Sequence, residues 1–391
     1  MTPAVVRDSA ALSALVSELQ HVRRFAIDLE SDGMYTYRAK LCVIQIATDA
    51  GIWIVDSLAV DPSPLAPLLL AAGPIKIIHD VAFDARLLAE AGILLGNVHD
   101  TALAAQWLKR PATGLGSLLL GELGITVDKS MQHHDWSRRP LDARAITYLT
   151  GDVAHLGALH DRLWSEVVEK GIEGEVLLET DYRIATATEG ARSTPPSPYL
   201  RMKGIDRVPP KSRPIVRRLG VIREAAAAAA NVPPYKIVTN DVIFAIAAAA
   251  PESEASLAKI KGVDRFRRHA REVLEAISLG QHESLPPDEA ATFERPRVNR
   301  EELDAKRRRE NSLTAWRKAE AAQRGVDEQA VLPGHCLREF AARDNWTLES
   351  MAAVGGFGTA RQQRYGAAIL DALSRPAPPP AAARASDEVP Q

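Results

Sequence analysis

The chain of 391 residues contains very little cysteine. Cys42 and Cys336 stand far apart and outside any CxxC pair, which excludes a disulfide framework and a cysteine zinc site and predicts a reduced, cytoplasmic location. Long hydrophobic runs are also missing, and none approaches the roughly 20 residues that a membrane span needs. The first ten residues lack the basic-then-apolar layout of a signal peptide. We therefore expect neither a membrane partner nor secretion.

The chain also lacks an excess of charge of either sign, with 48 Lys and Arg against 50 Asp and Glu. This balance by itself argues against a protein that binds polyanions. However, residues 1–200 contain 17 basic and 25 acidic side chains, whereas residues 201–280 contain 15 basic and 8 acidic ones. The balanced total charge therefore conceals an acidic first part of the chain followed by a basic part. A chance distribution of solvated charges is the alternative explanation.

Stretches rich in Pro, Ser and Gly interrupt the chain near residues 188–198 and 280–288, and the end of the chain is rich in Pro and Ala. Such stretches are typical of linkers and disordered tails. They predict segments at 1–190, 201–282 and 295–373, followed by a disordered tail at 374–391.

The first segment mixes strands with helices. Its apolar runs are Phe25–Leu29, Leu41–Ala47, Ile52–Val55 and Ile75–Ile78. The short connections between the first three runs favour an antiparallel meander, because parallel neighbours need a long crossover. The stretch from Pro62 to Ala72 can serve as a crossover before the fourth run, and helical patterns dominate after Phe83. This order resembles an RNase H-like α/β layout with a mixed sheet.

The second and third segments are predicted to be all-helical. Each begins with an Arg-rich helix, and each then has a Pro-containing break, at Val232-Pro-Pro in one and Val331-Leu-Pro in the other. A further helix, a turn containing Gly and a final helix follow in both. This shared order indicates an internal repeat of a small helical domain.

A pair of carboxylates ends the first predicted strand. Asp28 and Glu30 are two residues apart, so the strand places both side chains on one face with their Cα atoms about 7 Å apart. Two such carboxylates repel each other unless a cation lies between them. A solvated strand edge is the alternative for this short motif.

Two further acidic sites follow in the chain. Asp84 stands in the first turn of the helix after the fourth strand. The alternatives to a functional role are that Asp80 only caps this helix and that Asp84 only complements its dipole. Tyr148 and Asp152 are four residues apart and therefore share one face of a predicted helix. An ordinary surface pair is the alternative there.

Together the four acidic residues, Asp28, Glu30, Asp84 and Asp152, offer only oxygen ligands. Hard oxygen ligands favour Mg²⁺ or Mn²⁺ over zinc. A pair of such ions about 3.5–4 Å apart can activate water and stabilise the leaving oxygen of a phosphodiester. A tyrosine, with its ordinary pKa near 10, is a poor base, so Tyr148 is better suited to orienting the attacking water.

The order Asp-x-Glu, Asp after a strand, and Tyr-x-x-x-Asp on a late helix resembles the DEDD exonuclease superfamily, tyrosine subclass. Residues 20–170 are most similar to the ribonuclease D family. The matching stretches are Ile27–Ser31, Leu41–Ala47, His99–Thr101, Leu118–Leu120, Asp128–Lys129 and Asp135–Leu141.

The resemblance implies a 3′→5′ exoribonuclease that uses two divalent metal ions, releases nucleoside 5′-monophosphates and trims structured RNA, notably the 3′ ends of tRNA precursors. It implies no obligate protein partner. Carried over, Asp28, Glu30, Asp84 and Asp152 become metal ligands, and Tyr148 becomes the residue that positions water.

The helical segments resemble HRDC domains, which follow the nuclease core in many members of that family. The second segment carries Ile222-Arg-Glu224 and Val232–Val238, and the more diverged third segment carries Ala315-Trp-Arg317 and Gly355–Gly358.

Several basic residues are candidate contacts to substrate phosphates. For Lys129, Arg138 and Arg139, a structural ion pair with the acidic core is an equal alternative. The stretch from Arg265 to Arg271 interleaves Phe266 with basic residues, as in surfaces that bind nucleic-acid backbones. A solvated helix is the alternative. The candidates are Lys129, Arg138, Arg139, Arg265, Arg267 and Arg268.

Two rival functions remain open. Werner-type helicase nucleases share similar motifs, so the protein could be a 3′→5′ DNA exonuclease. A catalytically inactive RNA-binding protein is the rival from a different class. The presence of all four carboxylates and of Tyr148 favours an active enzyme.

Overall fold

The structure of the protein is a computed structural model that describes residues 2–193, 197–294 and 299–374. The predicted tail from residue 375 onward lies outside the described residues, whereas Ser374 is the last residue of a helix.

A mixed sheet forms the centre of the first segment, which confirms the predicted fold class. In the described part of the chain the sheet has six strands in the order β1-β4-β3-β2-β5-β6. The strands are β1 (Ala4–Val6), β2 (Arg24–Ser31), β3 (Leu41–Ala47), β4 (Ile52–Asp56), β5 (Ile75–Ile78) and β6 (Val98–Asp100). Strands β2, β3 and β4 are antiparallel neighbours, and β5 and β6 join parallel to β2 and β5.

Helices surround this sheet. The crossover before β5 is a 3₁₀ turn at Ser63–Leu65 that continues into α2. The helices are α1 (Ser9–Leu19), α2 (Ala66–Leu69), α3 (Val81–Glu90), α4 (Thr101–Trp107), α5 (Leu115–Leu123), α6 (Ala143–Ala154), α7 (Leu156–Glu169) and α8 (Glu173–Arg192). None of the described helices is long and apolar enough to cross a membrane.

The two faces of the sheet carry different side chains because strand residues alternate between faces. Phe25, Ile27 and Leu29 of β2 enter one core, together with residues of α1 and α3. Asp28 and Glu30 point to the opposite face, which α6 covers. The site is therefore built between β2 and α6.

The second segment has a core of its own. Val216, Leu219, Ile246 and Phe266 are fully buried in it. Its α-helices are α9 (Arg213–Ala230), α10 (Pro234–Ile237), α11 (Asn240–Ala249), α12 (Glu254–Leu257), α13 (Ala270–Gln281) and α14 (Pro287–Ala291), with 3₁₀ turns at Pro198–Arg201, Ile205–Arg207, Pro210–Ser212 and Phe266–His269.

The third segment shares a core with the first. Val331 and Phe340 pack in one cluster with Trp107, Leu163 and Val176 of the first segment. Its helices are α15 (Arg300–Arg324), α16 (Glu328–Val331), α17 (Gly334–Ala342), α18 (Leu348–Ala352) and α19 (Gly358–Ser374). Continuous apolar packing makes the first and third segments one structural unit.

A buried arginine reinforces this junction. Arg361 is 0% exposed and donates hydrogen bonds to the carbonyl oxygens of Glu175, Ala330 and Gly356. Its guanidinium also lies 5.3 Å from the centre of the Trp107 ring. Arg361 therefore joins the first and third segments through hydrogen bonds, and its guanidinium is not exposed at the surface.

Candidate active site

Strand β2 positions the first two carboxylates. Its antiparallel register with β3 places Asp28 opposite Gln45 and Glu30 opposite Val43, and the register shifts immediately after Glu30. Such a shift marks a β-bulge, and bulges often re-aim side chains next to active sites. Asp28 and Glu30 thus share the sheet face that α6 covers.

Helix α6 brings the third carboxylate to this pair. The side chain of Asp142 caps the helix by accepting a hydrogen bond from the N–H of Ala145 at 2.7 Å. Leu149 and Val153 are buried against the sheet, so Asp152 faces β2. One carboxylate oxygen from each of Asp28, Glu30 and Asp152 lies within 4.8 Å of the other two.

Helix α3 carries Asp84, the fourth predicted ligand, in its first turn. Asp84 is 4% exposed, and burial together with the negative charges of Asp28 and Glu30 raises its pKa well above the ordinary value. Among the described residues, the group with oxygens within 4.8 Å of one another consists of Asp28, Glu30 and Asp152. Asp84 thus borders this group and interacts with it electrostatically.

The pKa values of the three clustered carboxyl groups are all raised. Burial raises the pKa of Asp28 to about 7. Burial and then the charges of Asp28 and Asp152 raise the pKa of Glu30 to about 9. Burial and then Asp28 raise the pKa of Asp152 to about 8.

Negative charges confined in this way are stabilised by a cation. In addition, Oδ2 of Asp152 is buried and has no hydrogen-bond partner. The donor set of oxygens and this unsatisfied acceptor fit a hard divalent ion such as Mg²⁺ or Mn²⁺.

Tyr148 lies one helical turn before Asp152 on the same face of α6. It is 8% exposed, and its ring centre lies 5.7 Å from that of the buried Trp136. Burial, followed by the charges of Asp152 and Glu30, raises the pKa of Tyr148 above its ordinary value. The phenol therefore stays protonated and can donate a hydrogen bond, as a water-positioning residue must.

The basic residues near α6 differ in how far their side chains are paired within the protein. All five N–H groups of Arg139 donate within the protein, two of them to Asp56 at 2.7 Å and the others to the carbonyls of Cys42, Trp136 and Arg138. The structure therefore favours the structural ion pair for Arg139, and its predicted phosphate contact is corrected. The side chain of Arg138 is 74% exposed, although its Nε lies 3.6 Å from Asp135.

Lys129 is exposed, and its side chain passes close to Gly116 of α5. It therefore stays a candidate contact to substrate.

The basic stretch of the second segment is only partly as predicted. Arg265, Arg267 and Arg268 are exposed, but Phe266 is 0% exposed and belongs to the core. The expectation that Phe266 forms part of a nucleic-acid-binding face is corrected, because a fully buried ring cannot stack on a base. Arg265 also donates to the carbonyl of Lys236 at 2.7 Å.

A contact between the first and second segments was not predicted. The loop at residues 32–40 follows β2 directly, and the hydroxyl of Tyr37 donates to Glu224 of α9 at 3.0 Å. The ammonium of Lys236 lies 4.7 Å from the centre of the Tyr35 ring. The basic segment is thus docked beside the end of the strand that carries Asp28 and Glu30. No local pattern signals a pairing between residues so distant in sequence.

Asp100 lies in the matching stretch His99–Thr101, and its side chain has a structural role that the sequence does not reveal. Its carboxylate is 0% exposed and accepts hydrogen bonds from the N–H groups of Asp80, Val81, Ala102 and Leu103. It therefore caps α3 and α4 together. An Asp directly before a helix is a capping signal, but it does not reveal the second helix.

The chain is similar to known exonucleases and to known HRDC domains. A 3′-5′ exonuclease family model matches residues 3–168, and an HRDC domain model matches residues 212–277 and 307–373. Ribonuclease D from Zymomonas mobilis is 32% identical over 267 residues, which cover 66% of this chain and 67% of that protein. Ribonuclease D from Gluconacetobacter diazotrophicus is 28% identical over 293 residues, which cover 71% of this chain and 72% of that protein.

Solved structures show the same fold. A protein from Bifidobacterium adolescentis matches with a TM-score of 0.74 and 21% identity, covering 96% of this chain and 97% of that one. RNase D from Escherichia coli, an exoribonuclease involved in structured RNA processing, matches with a TM-score of 0.70 and 20% identity, covering 95% and 99%.

A 3′→5′ exonuclease domain with HRDC domains after it is the class that the fold and the site define. Exonucleases of this class depend on divalent metal ions, which agrees with the cluster of carboxylate oxygens. The chain belongs to the ribonuclease D family and is a 3′→5′ exoribonuclease.

Proposed function

We propose that this exoribonuclease trims the 3′ ends of structured RNA precursors, including those of tRNA, and releases nucleoside 5′-monophosphates. Two Mg²⁺ or Mn²⁺ ions would be held by Asp28, Glu30, Asp84 and Asp152. The observation that carries the proposal is the approach of carboxylate oxygens from Asp28, Glu30 and Asp152 to within 4.8 Å of one another. A cytoplasmic location and the absence of an obligate protein partner stay predictions.

The charges around Asp28 support a site for more than one ion. Asp28 contributes to the raised pKa of Glu30, of Asp84 and of Asp152, so it lies electrostatically at the centre of the four ligands. Two divalent ions held by these residues would activate water and stabilise the leaving oxygen of the phosphodiester.

Tyr148 orients the water in this proposal. Its raised pKa keeps the hydroxyl protonated at neutral pH, so the hydroxyl donates a hydrogen bond and does not remove a proton. Trp136 packs against the ring and limits its movement. Tyr148→Phe is therefore expected to lower kcat while the site keeps its metal ligands.

RNA would reach the carboxylates along the junction of the first and second segments. The second segment is docked against the loop at residues 32–40 through Glu224 and Lys236, and this loop begins two residues after Glu30. Exposed Arg265, Arg267 and Arg268 would hold phosphates farther from the 3′ end. Arg138 and Lys129 would contact phosphates closer to α6.

The decisive experiment is digestion of a 3′-extended tRNA precursor with sizing of the products. We expect stepwise shortening from the 3′ end, release of nucleoside 5′-monophosphates and accumulation of a trimmed tRNA. Asp28→Ala and an excess of EDTA should each abolish the reaction. Activity that survives either treatment would contradict the metal site.

Matched RNA and DNA duplexes with the same 3′ overhang provide the substrate control. Preference for the DNA overhang would contradict the proposed RNA substrate. Equal shortening of the tRNA precursor and an unstructured RNA, with no stop at the mature 3′ end, would contradict the proposed processing role.

A further inference from the structure

Gln45 is a polar residue in an otherwise apolar part of the sheet. It lies in the middle of β3, is 0% exposed, and is flanked by the fully buried Ile44 and Ile46. In the described part of the chain neither its Nε2 nor its Oε1 has a hydrogen-bond partner. A buried polar group without a partner destabilises the folded protein, so its presence calls for a specific reason.

The register of the sheet places Gln45 beside the candidate metal ligands. Gln45 lies directly opposite Asp28 in the antiparallel ladder of β2 and β3. Directly opposite residues point to the same face and have Cβ atoms about 4.5–5.5 Å apart. Helix α6 covers this face and carries Asp152, one oxygen of which lies within 4.8 Å of an Asp28 oxygen.

A second unsatisfied atom lies on the same face. Oδ2 of Asp152 is buried and lacks a hydrogen-bond partner, as do both polar atoms of Gln45. The amide Nε2 can only donate, and the carboxylate oxygen of ionised Asp152 can only accept. Rotation of the two side chains would satisfy a donor and an acceptor at once.

We propose that Gln45 is a positioning residue for the metal site, with its Nε2 donating a hydrogen bond to Oδ2 of Asp152 when a divalent ion is bound. The bond turns the other oxygen of Asp152 toward the ion. This inference rests on the proposed role of Asp28, Glu30 and Asp152 as ligands. Groups that hydrogen-bond to metal ligands typically contribute roughly 10–100-fold to metal affinity.

A purely structural amide is the competing explanation, and two variants separate it from the proposal. Gln45→Met has nearly the same length and removes both polar atoms. Ile54→Val is the matched control for packing, because Ile54 of β4 lies directly opposite Gln45 and is fully buried under α6. Both variants change the same layer of the core, but only Gln45→Met removes the amide.

The measurement is Mn²⁺ binding to the full chain by titration calorimetry, together with thermal unfolding in EDTA. We expect Gln45→Met to weaken Mn²⁺ binding roughly 10–100-fold while its stability in EDTA equals or exceeds that of the unsubstituted protein. Ile54→Val should lose stability and keep its Mn²⁺ affinity. Gln45→Asn keeps the amide on a shorter side chain and should weaken binding as well, so it decides the question if Gln45→Met does not fold.

Unchanged Mn²⁺ affinity in Gln45→Met, or an equal loss of affinity in Ile54→Val, would overturn the inference and leave the proposed metal site intact. Failure of the metal site itself would be recognised by a different result. If the unsubstituted protein and Asp28→Ala gave the same Mn²⁺ isotherm, both the proposed ligands and the role of Gln45 would be wrong.

Discussion

The carboxylate of Asp100 accepts a hydrogen bond from the backbone N–H of Val81 at 3.2 Å and thereby holds the first turn of α3. Its other oxygen accepts from Asp80, Ala102 and Leu103. Asp84, a candidate ligand, stands in that first turn. The position of Asp84 therefore depends on a buried side chain from a different strand.

Asp100→Asn is predicted to destabilise the protein and to weaken metal binding. The amide of Asn has only one acceptor atom. Its NH₂ group would therefore face a backbone N–H that donates to a carboxylate oxygen in the unsubstituted protein, and the lost bond should cost about 1–3 kcal/mol. Urea denaturation measures this loss, and Mn²⁺ titration measures the displacement of Asp84. Asp142→Asn is the control, since exposed Asp142 accepts from the single N–H of Ala145 and Asn is an equally good cap. Equal effects of the two substitutions would contradict this role of Asp100.

Asp152→Asn is predicted to stabilise the protein in EDTA at about pH 8 and to abolish nuclease activity. The pKa of Asp152 is raised to about 8, so the folded state retains protons that the unfolded state releases above about pH 4. Stability contributed by such a group falls as pH rises through the folded pKa. The substitution should therefore reduce the loss of Tm between about pH 6.5 and pH 8.

The control for this experiment is Asp56→Asn. Asp56 is buried and paired with Arg139, so its substitution should lower Tm throughout the same pH range. Tm is compared only above about pH 6.5, because buried His99 has its pKa lowered to about 4. Below about pH 6.5 this histidine makes stability rise with pH, which is opposite to the effect of Asp152. A steeper fall of Tm in Asp152→Asn would contradict the prediction.

Arg138 and Arg139 are predicted to respond in opposite ways to substitution by Ala. Arg139→Ala removes both guanidinium hydrogen bonds to the 2%-exposed Asp56 and leaves only Arg7, at 3.9 Å, as a cation beside it, so it should cost about 3–5 kcal/mol of stability. Arg138→Ala should change stability by at most about 0.5 kcal/mol and weaken RNA binding. Thermal unfolding and fluorescence anisotropy with a labelled RNA measure the two effects. A stable Arg139→Ala protein with weak RNA binding would reverse the assignment.

Substitution of Arg265, Arg267 and Arg268 by Gln is predicted to reduce the salt dependence of RNA binding. Each lost phosphate contact on a single strand lowers the slope of log K against log salt by about 0.7, so the triple variant should lose about 2. Lys306, Arg307 and Arg308 on α15 provide a matched triple substitution in the third segment. An unchanged slope in the first variant, or an equal loss in the control, would contradict the role of the second segment.

Arg361→Met is predicted to loosen the third segment. The substitution removes the donors that satisfy the carbonyls of Glu175, Ala330 and Gly356, at a cost of at least about 2 kcal/mol. Limited proteolysis should then cut within the third segment faster than in the unsubstituted protein. Arg338→Met, at an exposed position of α17, is the control and should leave the cleavage rate unchanged.

The sequence predicted the candidate site best where the regular spacing of a strand or a helix places two residues on the same face. Asp28 and Glu30 are two residues apart on a strand, and Tyr148 and Asp152 are four apart on a helix, so local geometry alone puts each pair on one face. The mixed sheet was predictable from the lengths of the connections. Strands β1 and β6 were not, because three residues are too few to show a period.

Contacts between residues that are distant in sequence could not be predicted from local sequence patterns. Arg139 and Asp56 are 83 positions apart, and Arg361 and Glu175 are 186 apart. By itself, the sequence determined the class of fold and predicted the oxygen ligands of a metal site, since both follow from residue type and short-range period. Only the tertiary structure decided which charges remain available to RNA and which hold the segments together, because burial and pairing arise from contacts that form only when the whole chain folds.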